Sequence, residues 1–162
     1  MFYEPKKGYP FKIDPFKSIV FPRPIGWISS ISKSGVANLA PYSYFNAIAD
    51  NPPQVMFSSN TQSSKKNYKD SLINILASKE FVVNFATSLT RNAMNLSSIN
   101  APSDIDEFIF TKIKKRKSKI VKVPSVFASP VTLECKLLKT LKLKSNSKQS
   151  GTLVIGEVIG IF

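Results

Sequence analysis

Residues 23–46 decide how the chain is expected to fold, and they read RPIGWISSISKSGVANLAPYSYFN. The run from Ile25 to Ile31 is rich in β-branched and aromatic residues and predicts a strand. Lys33-Ser34-Gly35 is typical of a turn, and the run from Val36 to Phe45 predicts a return to extended structure. The stretch therefore predicts two successive strands joined by a short turn.

Outward from this stretch, predicted strands outnumber predicted helices. Apolar residues at helical spacing predict a helix over 64–79, and Ser88 or Thr90 is a candidate cap for a second helix ending near Ser97. Further strands are predicted over 54–58, 81–86, 110–114, 119–123, 131–144 and 151–162. The expected fold class is mostly β, an antiparallel barrel or sandwich with two or three helices.

The chain of 162 residues suits one domain, because no repeat or low-complexity linker divides it. The N-terminal segment lacks the apolar run of a signal peptide, and no stretch reaches the length of a membrane helix. We therefore expect a single domain over 1–162, located in the cytoplasm and without membrane contact. Because the chain stops inside the apolar run 151–162, we expect the usual C-terminal elements of the complete fold to be missing.

Residues absent from the composition exclude several classes of enzyme. The chain has no His and one Cys, Cys135. It therefore forms no Ser-His-Asp triad, no HExxH zinc site and no Cys-His pair, and the single Cys fits a reducing compartment. We also find no metal-ligand spacing, so no metal site is predicted. Catalysis would have to come from carboxylates, lysines or a borrowed cofactor, and Cys135 is predicted to be a buried strand residue.

The net charge of +13 is concentrated in one third of the chain. Residues 112–148 contain 11 Lys, one Arg and one acidic residue. Lysines alternate with leucines in this third, as on a strand with a solvated outer face. Two other interpretations stay open: steering of anionic ligands, and nucleic-acid binding by a basic β-barrel. Against nucleic-acid binding, the chain has far more Lys than Arg, and Arg is the residue that recognition of bases favours.

Hydroxyl and amide side chains are dense beside aromatic residues between Arg23 and Ser71. Such groups suit a ligand that combines a flat ring with a phosphate, since Ser and Asn offer neutral donors and nearby lysines offer positive charge. No glycine-rich phosphate loop is present, so side chains and isolated backbone amides would have to hold the phosphate. The alternative is that these are ordinary turn residues between strands.

Four motifs in this region follow one another in a family order. They are Arg23-Pro24-Ile25 with Ile28-Ser29-Ser30, Asn38-x-Ala40-Pro41-Tyr42-Ser43-x-Phe45-Asn46, Asn51-Pro52-Pro53 with Val55-Met56-Phe57-Ser58, and Lys69-Asp70-Ser71 with Asn74-Ile75. With them the chain resembles the flavin reductase-like family, the FMN-binding split barrels that include the flavoredoxins. Segments 80–84, 94–95, 106–108, 133–135 and 155–158 extend the resemblance to the end of the chain.

The resemblance implies a Greek-key antiparallel barrel and a homodimer with FMN near the subunit interface. It further implies an NAD(P)H-dependent flavin oxidoreductase that transfers hydride or electrons between NAD(P)H and flavin or a downstream acceptor. No catalytic side chain is then needed, because the cofactors carry the chemistry. Family members continue beyond the strand at 155–158, and this departure leaves a catalytically silent flavin-binding barrel fragment as an alternative.

Carried over by motif, residues 23–30 and 38–46 would line the flavin. Ser58 and Ser59 would lie beside its phosphate or ribityl end. The candidates for contact with the phosphate are Lys65, Lys69 and Ser71. The residues assigned to the cofactor in this way are Arg23, Ile25, Trp27, Ser29, Ser30, Asn38, Pro41, Tyr42, Ser43, Asn46, Ser58, Ser59, Lys65, Lys69 and Ser71.

Overall fold

The structure is a computed structural model that describes residues 2–60, 68–146 and 150–162. The strands within these residues are β1 (Gly26–Ile31), β2 (Ala37–Tyr42), β3 (Phe45–Asp50), β4 (Pro53–Asn60), β5 (Glu80–Phe85), β6 (Lys115–Arg116), β7 (Ser125–Val126), β8 (Thr132–Lys142) and β9 (Gly151–Ile161). The helices are α1 (Phe16–Ile19), α2 (Asp70–Ser78), α3 (Arg91–Leu96) and α4 (Glu107–Phe110), and a 3-10 turn covers Pro5–Lys7. None of the described helices is long and apolar enough to cross a membrane.

Seven strands form one antiparallel sheet in the order β2-β1-β5-β8-β9-β4-β3. β1 pairs with β5 and β9 with β4, although these strands are far apart in sequence, as expected for Greek-key connections. The sheet curls until its two halves meet, since the rings of Tyr42 in β2 and Phe57 in β4 lie 4.8 Å apart. The predicted fold, a mostly β antiparallel split barrel, is confirmed.

Aromatic and aliphatic side chains fill the inside of the barrel. Phe57 and Phe81 are fully buried there, with ring centroids 5.7 Å apart. At Gly156 a Cβ atom would come within 2.4 Å of the Phe81 ring, so β9 passes this ring closely only because the residue is glycine. Cys135 is buried in the same cluster, as predicted, and burial together with the neighbouring Glu134 raises the pKa of its thiol.

β1 is buried on both of its faces. Ile28 belongs to the barrel interior, whereas its neighbour Trp27 packs outside the barrel in a second apolar cluster. That second cluster contains Leu39 of β2 and Phe108 of α4. The alternation of side chains along a strand thus joins two apolar layers through β1.

Two predicted strands are wrong, and a predicted helix is shorter than expected. In the region 110–114 the chain leaves α4 through a turn, in which Lys112 has φ 57° and the N–H of Ile113 donates to the carbonyl of Phe108 at 2.8 Å. The region 119–123 is a loop. The helix predicted over 64–79 corresponds to α2, which runs over Asp70–Ser78. Residues 64–67 lie outside the described residues.

The loop at 119–123 is not a strand because carboxylates bind its backbone N–H groups. Glu134 of β8 accepts hydrogen bonds from the N–H groups of Lys119, Ile120 and Val121 at 2.7, 2.7 and 2.9 Å. Glu80 of the neighbouring strand accepts one from the next residue along the loop at 2.9 Å. Burial raises the pKa of Glu134, but the three donors outweigh it and hold that pKa below the usual range.

Glu134→Gln is expected to lower the free energy of unfolding at neutral pH by about 2 kcal/mol, because an amide keeps only part of this acceptor set. Since the pKa of Glu134 is lower in the folded chain, the unfolded chain binds the extra proton first. The stabilisation from Glu134 is therefore complete above the unfolded Glu pKa of about 4.3 and is lost as the pH falls below it. Urea unfolding between neutral and acid pH measures both effects.

The matched control is Glu157→Gln on the adjacent strand, where the carboxylate is opposite Lys136 in the pairing of β8 with β9. It is expected to cost less than about 1 kcal/mol, as for an ordinary cross-strand pair. An equal loss in both variants would contradict the special role assigned to Glu134.

Candidate functional site

A buried polar network connects β1, β2 and α2. Ser30 and Asn38 are cross-strand partners, and the Ser30 hydroxyl donates to Asn38 Oδ1 at 3.3 Å and accepts from Asn74 Nδ2 of α2 at 3.2 Å. Ser71, in the first turn of α2, donates to the same oxygen of Asn38 at 2.5 Å. Three residues predicted from the sequence thus lie together and fix α2 against the sheet.

Glu107 of α4 joins this network at β2, which is an edge strand of the sheet. Its carboxylate accepts from Asn38 Nδ2 at 2.7 Å and from the backbone N–H of Leu39 at 3.3 Å. It is the first residue of α4, whose cap, Asp106, accepts from the N–H groups of residues 108 and 109. Burial raises the pKa of Glu107, and the hydrogen bonds it accepts oppose that rise.

Tyr42, Ser59 and Lys69 lie next to this network. The Tyr42 hydroxyl is buried, and no hydrogen-bond partner is found for it in the described part of the chain. Burial raises its pKa, while the hydroxyls of Ser71 and Ser59 oppose the rise without reaching hydrogen-bond geometry. The Lys69 ammonium lies over the Tyr42 ring, 5.3 Å from its centroid, and partial burial lowers the pKa of this lysine.

A second group of polar side chains lies on the outer face of β3 and β4. Phe45 and Phe57 point into the barrel, so their neighbours Asn46 and Ser58 point outward. The Ser58 hydroxyl donates to Asn60 Oδ1 at 2.9 Å. The backbone N–H of Ser58 donates to the carbonyl of Tyr44, and the guanidinium of Arg23 lies over the ring of the same tyrosine. Tyr44 thus connects this surface to the segment before β1.

Arg23 closes the N-terminal segment onto this surface. Its guanidinium donates to the carbonyls of Lys17 and Val20, and its centre lies 5.6 Å from the Tyr44 ring centroid. The Nε atom of Arg23 is buried, and no partner for it is found among the described residues. One donor of Arg23 is therefore unpaired within the described residues.

The remaining predicted residues lie apart from these two groups or beside them. Trp27 and Ser29 point to the opposite face of β1, where Trp27 Nε1 donates to Ser97 Oγ at 2.8 Å and Ser29 Oγ donates to the carbonyl of Pro124 at 2.7 Å. Three half-buried residues lie at or beside the paired ends of β1 and β2; they are Ile25, Pro41 and Ser43. Lys65 lies outside the described residues.

Three residues of the site were not singled out from the sequence. Asn74 and Asn60 belong to quoted or neighbouring motifs, but a motif does not show which of its side chains meet. Glu107 lies 69 residues from Asn38, so only the folded chain brings them together. Two signals point to Glu107: its place in the family segment 106–108, and its position after Asp106, a residue type that caps helices.

The fold defines the class of protein, an antiparallel split barrel, and comparison with known proteins identifies the family. The model of the flavin reductase-like domain matches residues 17–162. The chain belongs to the flavin reductase-like family.

Relatives and solved structures agree with this assignment. A protein of Aquifex aeolicus is 40% identical over 121 residues, which cover 75% of this chain and 61% of that protein. Nitrilotriacetate monooxygenase component B from Bacillus cereus superposes with a TM-score of 0.88 at 29% identity, covering 99% of this chain and 80% of the other. The 2-nitrobenzoate 2-nitroreductase of Pseudomonas fluorescens superposes at 0.76 with 28% identity, covering 93% and 72%. The chain spans about three fifths of the length of the Aquifex relative.

Tyr42→Phe is expected to raise the free energy of unfolding of the ligand-free protein by up to about 1 kcal/mol. The reason is that removing a buried hydroxyl without a partner also removes the cost of its desolvation. Tyr9→Phe, at an exposed tyrosine, is the control and should change nothing measurable. Urea unfolding gives the comparison, and a clear loss of stability in Tyr42→Phe would mean that the hydroxyl has a partner.

Proposed function

We propose that the protein binds FMN and acts as a flavin oxidoreductase with NAD(P)H as electron donor. The observation that carries the proposal is the position of two cations over aromatic rings. Lys69 lies over the Tyr42 ring at the start of α2, and Arg23 lies over the ring of Tyr44, whose carbonyl accepts from the N–H of Ser58 in β4. Positive charge and hydroxyls beside aromatic rings suit a ligand with a phosphate at one end and a flat ring at the other. Family membership supports the same ligand.

The side chains present fit FMN at both ends. At the phosphate end we assign Lys69 and the N-terminus of the nine-residue helix α2, which favours anions. Ser71 supports this end from behind through its bond to Asn38, and Ser58 and Ser59 border the ribityl chain. The two buried donors without partners described above, Arg23 Nε and the Tyr42 hydroxyl, are suited to polar atoms of the ligand.

At the ring end we assign the outer face of β3 and β4. Asn46 and Ser43 supply polar groups there, and Arg23 supplies a positive charge that favours a reduced, anionic ring. Held by these residues, FMN would supply the hydride-accepting chemistry, so no catalytic side chain is needed. The protein then has to hold two rings against each other and exclude water, which requires no His, Cys or metal ligand.

We also propose that the active form is a homodimer in the cytoplasm. β3 is an edge strand whose residues from Asn46 to Asp50 are all exposed, including the apolar Ile48. The N-terminal segment exposes further large apolar side chains, among them Ile13 and Ile19. Unpaired edges and contiguous apolar surface are features that a second copy of the chain would cover. The buried free thiol of Cys135 fits a reducing compartment.

The nucleic-acid alternative has less support from the basic third of the chain. Lys114 lies over the Phe127 ring at 4.4 Å, and Arg116 lies over the Phe162 ring at 3.8 Å. Cations of the chain itself therefore already cover aromatic faces on which bases would stack.

Titration with FMN tests the proposed function. The protein is expected to quench FMN fluorescence with a saturating curve and, with FMN bound, to oxidise NADH or NADPH. Lys69→Ala should weaken FMN about tenfold and leave riboflavin unchanged, because riboflavin lacks the phosphate that this lysine contacts. Lys33→Ala, in the exposed turn between β1 and β2, is the control.

The outcomes separate the alternatives. FMN binding without any oxidation of NAD(P)H supports the catalytically silent flavin-binding barrel. If neither flavin binds at any concentration, the protein is not a flavoprotein.

Ile48→Asp is expected to convert the homodimer to a monomer, since a charge on the edge of β3 opposes pairing with a second copy. Leu89→Asp places the same charge at an exposed leucine outside β3 and should leave the dimer intact. Sedimentation velocity measures both, and an unchanged dimer in Ile48→Asp would exclude this edge as the interface.

A further inference from the structure

We propose that Glu107 is a positioning residue for the phosphate end of the flavin site. It fixes the orientation of the Asn38 amide, and through Ser71 it holds the first turn of α2 in place. This inference rests on the proposed function, because it assigns Glu107 an effect on FMN.

The Asn38 amide has three side-chain partners, and only Glu107 has a fixed polarity. Asn38 Oδ1 accepts from the hydroxyls of Ser71 and Ser30, at 2.5 and 3.3 Å, but a hydroxyl can donate or accept. Both carboxylate oxygens of Glu107 act as acceptors, one from Asn38 Nδ2 at 2.7 Å and the other from the backbone N–H of Leu39 at 3.3 Å. A flipped amide would place its oxygen against this carboxylate, so Glu107 decides which way the amide points.

The orientation of the Asn38 amide has a direct effect on α2. With its oxygen facing inward, Asn38 receives the hydroxyl proton of Ser71, which occupies the second position of the helix. Lys69 is the residue at the N-terminal cap of the same helix, two positions earlier. A displacement of Ser71 would therefore move the lysine that we assign to the phosphate.

Glu107 also binds the edge of the sheet itself. β2 is an edge strand, and the second carboxylate oxygen of Glu107 accepts from the backbone N–H of Leu39 at 3.3 Å. The carboxylate thus fixes both the side chain of residue 38 and the backbone of residue 39. A carboxylate with two fixed partners cannot rotate freely, and this gives the network a defined geometry.

An exchange of the two polar groups tests the proposal. In Glu107→Gln the amide nitrogen of the new Gln faces another donor, either Asn38 Nδ2 or the N–H of Leu39, unless the Asn38 amide flips. We therefore expect FMN to bind about five- to tenfold more weakly. Asn38→Asp places two carboxylates against each other and should be worse. In the double variant Asn38→Asp/Glu107→Gln the donor and the acceptor change places, all hydrogen bonds can form again, and FMN affinity should return to near that of the wild type.

Riboflavin distinguishes positioning of the phosphate end from general stability. The two single variants should lose affinity for FMN and keep their affinity for riboflavin, whereas a purely structural role would weaken both flavins or neither. Thermal unfolding of each variant is measured in parallel. Asp104→Asn and Asn92→Asp, both at exposed positions, control for the change of one charge.

Three results would overturn the proposal while leaving the proposed function intact: unchanged or tighter FMN binding by Glu107→Gln, equal weakening for both flavins, or no recovery in a folded double variant. If the wild-type protein binds neither flavin, the proposed function itself is wrong and this inference falls with it.

Discussion

Burial of β1 on both faces is the constraint on which the rest of the structure depends. Its inward side chains enter the barrel, and its outward ones pack against α4 and the loops beyond it. A strand buried in this way cannot slip by one residue without exchanging Ile28 with Trp27 between two differently shaped cores. The register with β2 and β5 is therefore fixed, and with it the facing positions of Ser30 and Asn38.

This constraint explains why polar residues of one motif serve different purposes. Ser29 and Ser30 are neighbours in sequence, yet one is bonded to the outer loop at Pro124 and the other to the network around Asn38. Motif resemblance treats the two serines alike. The alternation of the strand separates them, so only one of the pair lies on the side of α2.

The sequence was sufficient for the fold class and for most strands, because alternating β-branched runs and turn residues are local signals. It failed at 119–123, where a strand-like composition is held as a loop by Glu134, a residue more than ten positions away. The same limit applies to the site. Six of the residues assigned by motif lie in or next to the network around Asn38. Glu107 could not be connected to it from the sequence, because Glu107 lies 69 residues from Asn38 and the two meet only where α4 packs against β2.

The close packing of the barrel has a consequence for where any ligand can go. Aromatic rings from opposite strands occupy the inside, and glycine at position 156 is required to make room for one of them. Because these rings fill the interior, it has no room for a three-ring molecule. A cofactor therefore has to bind to side chains on the outer surface of the barrel.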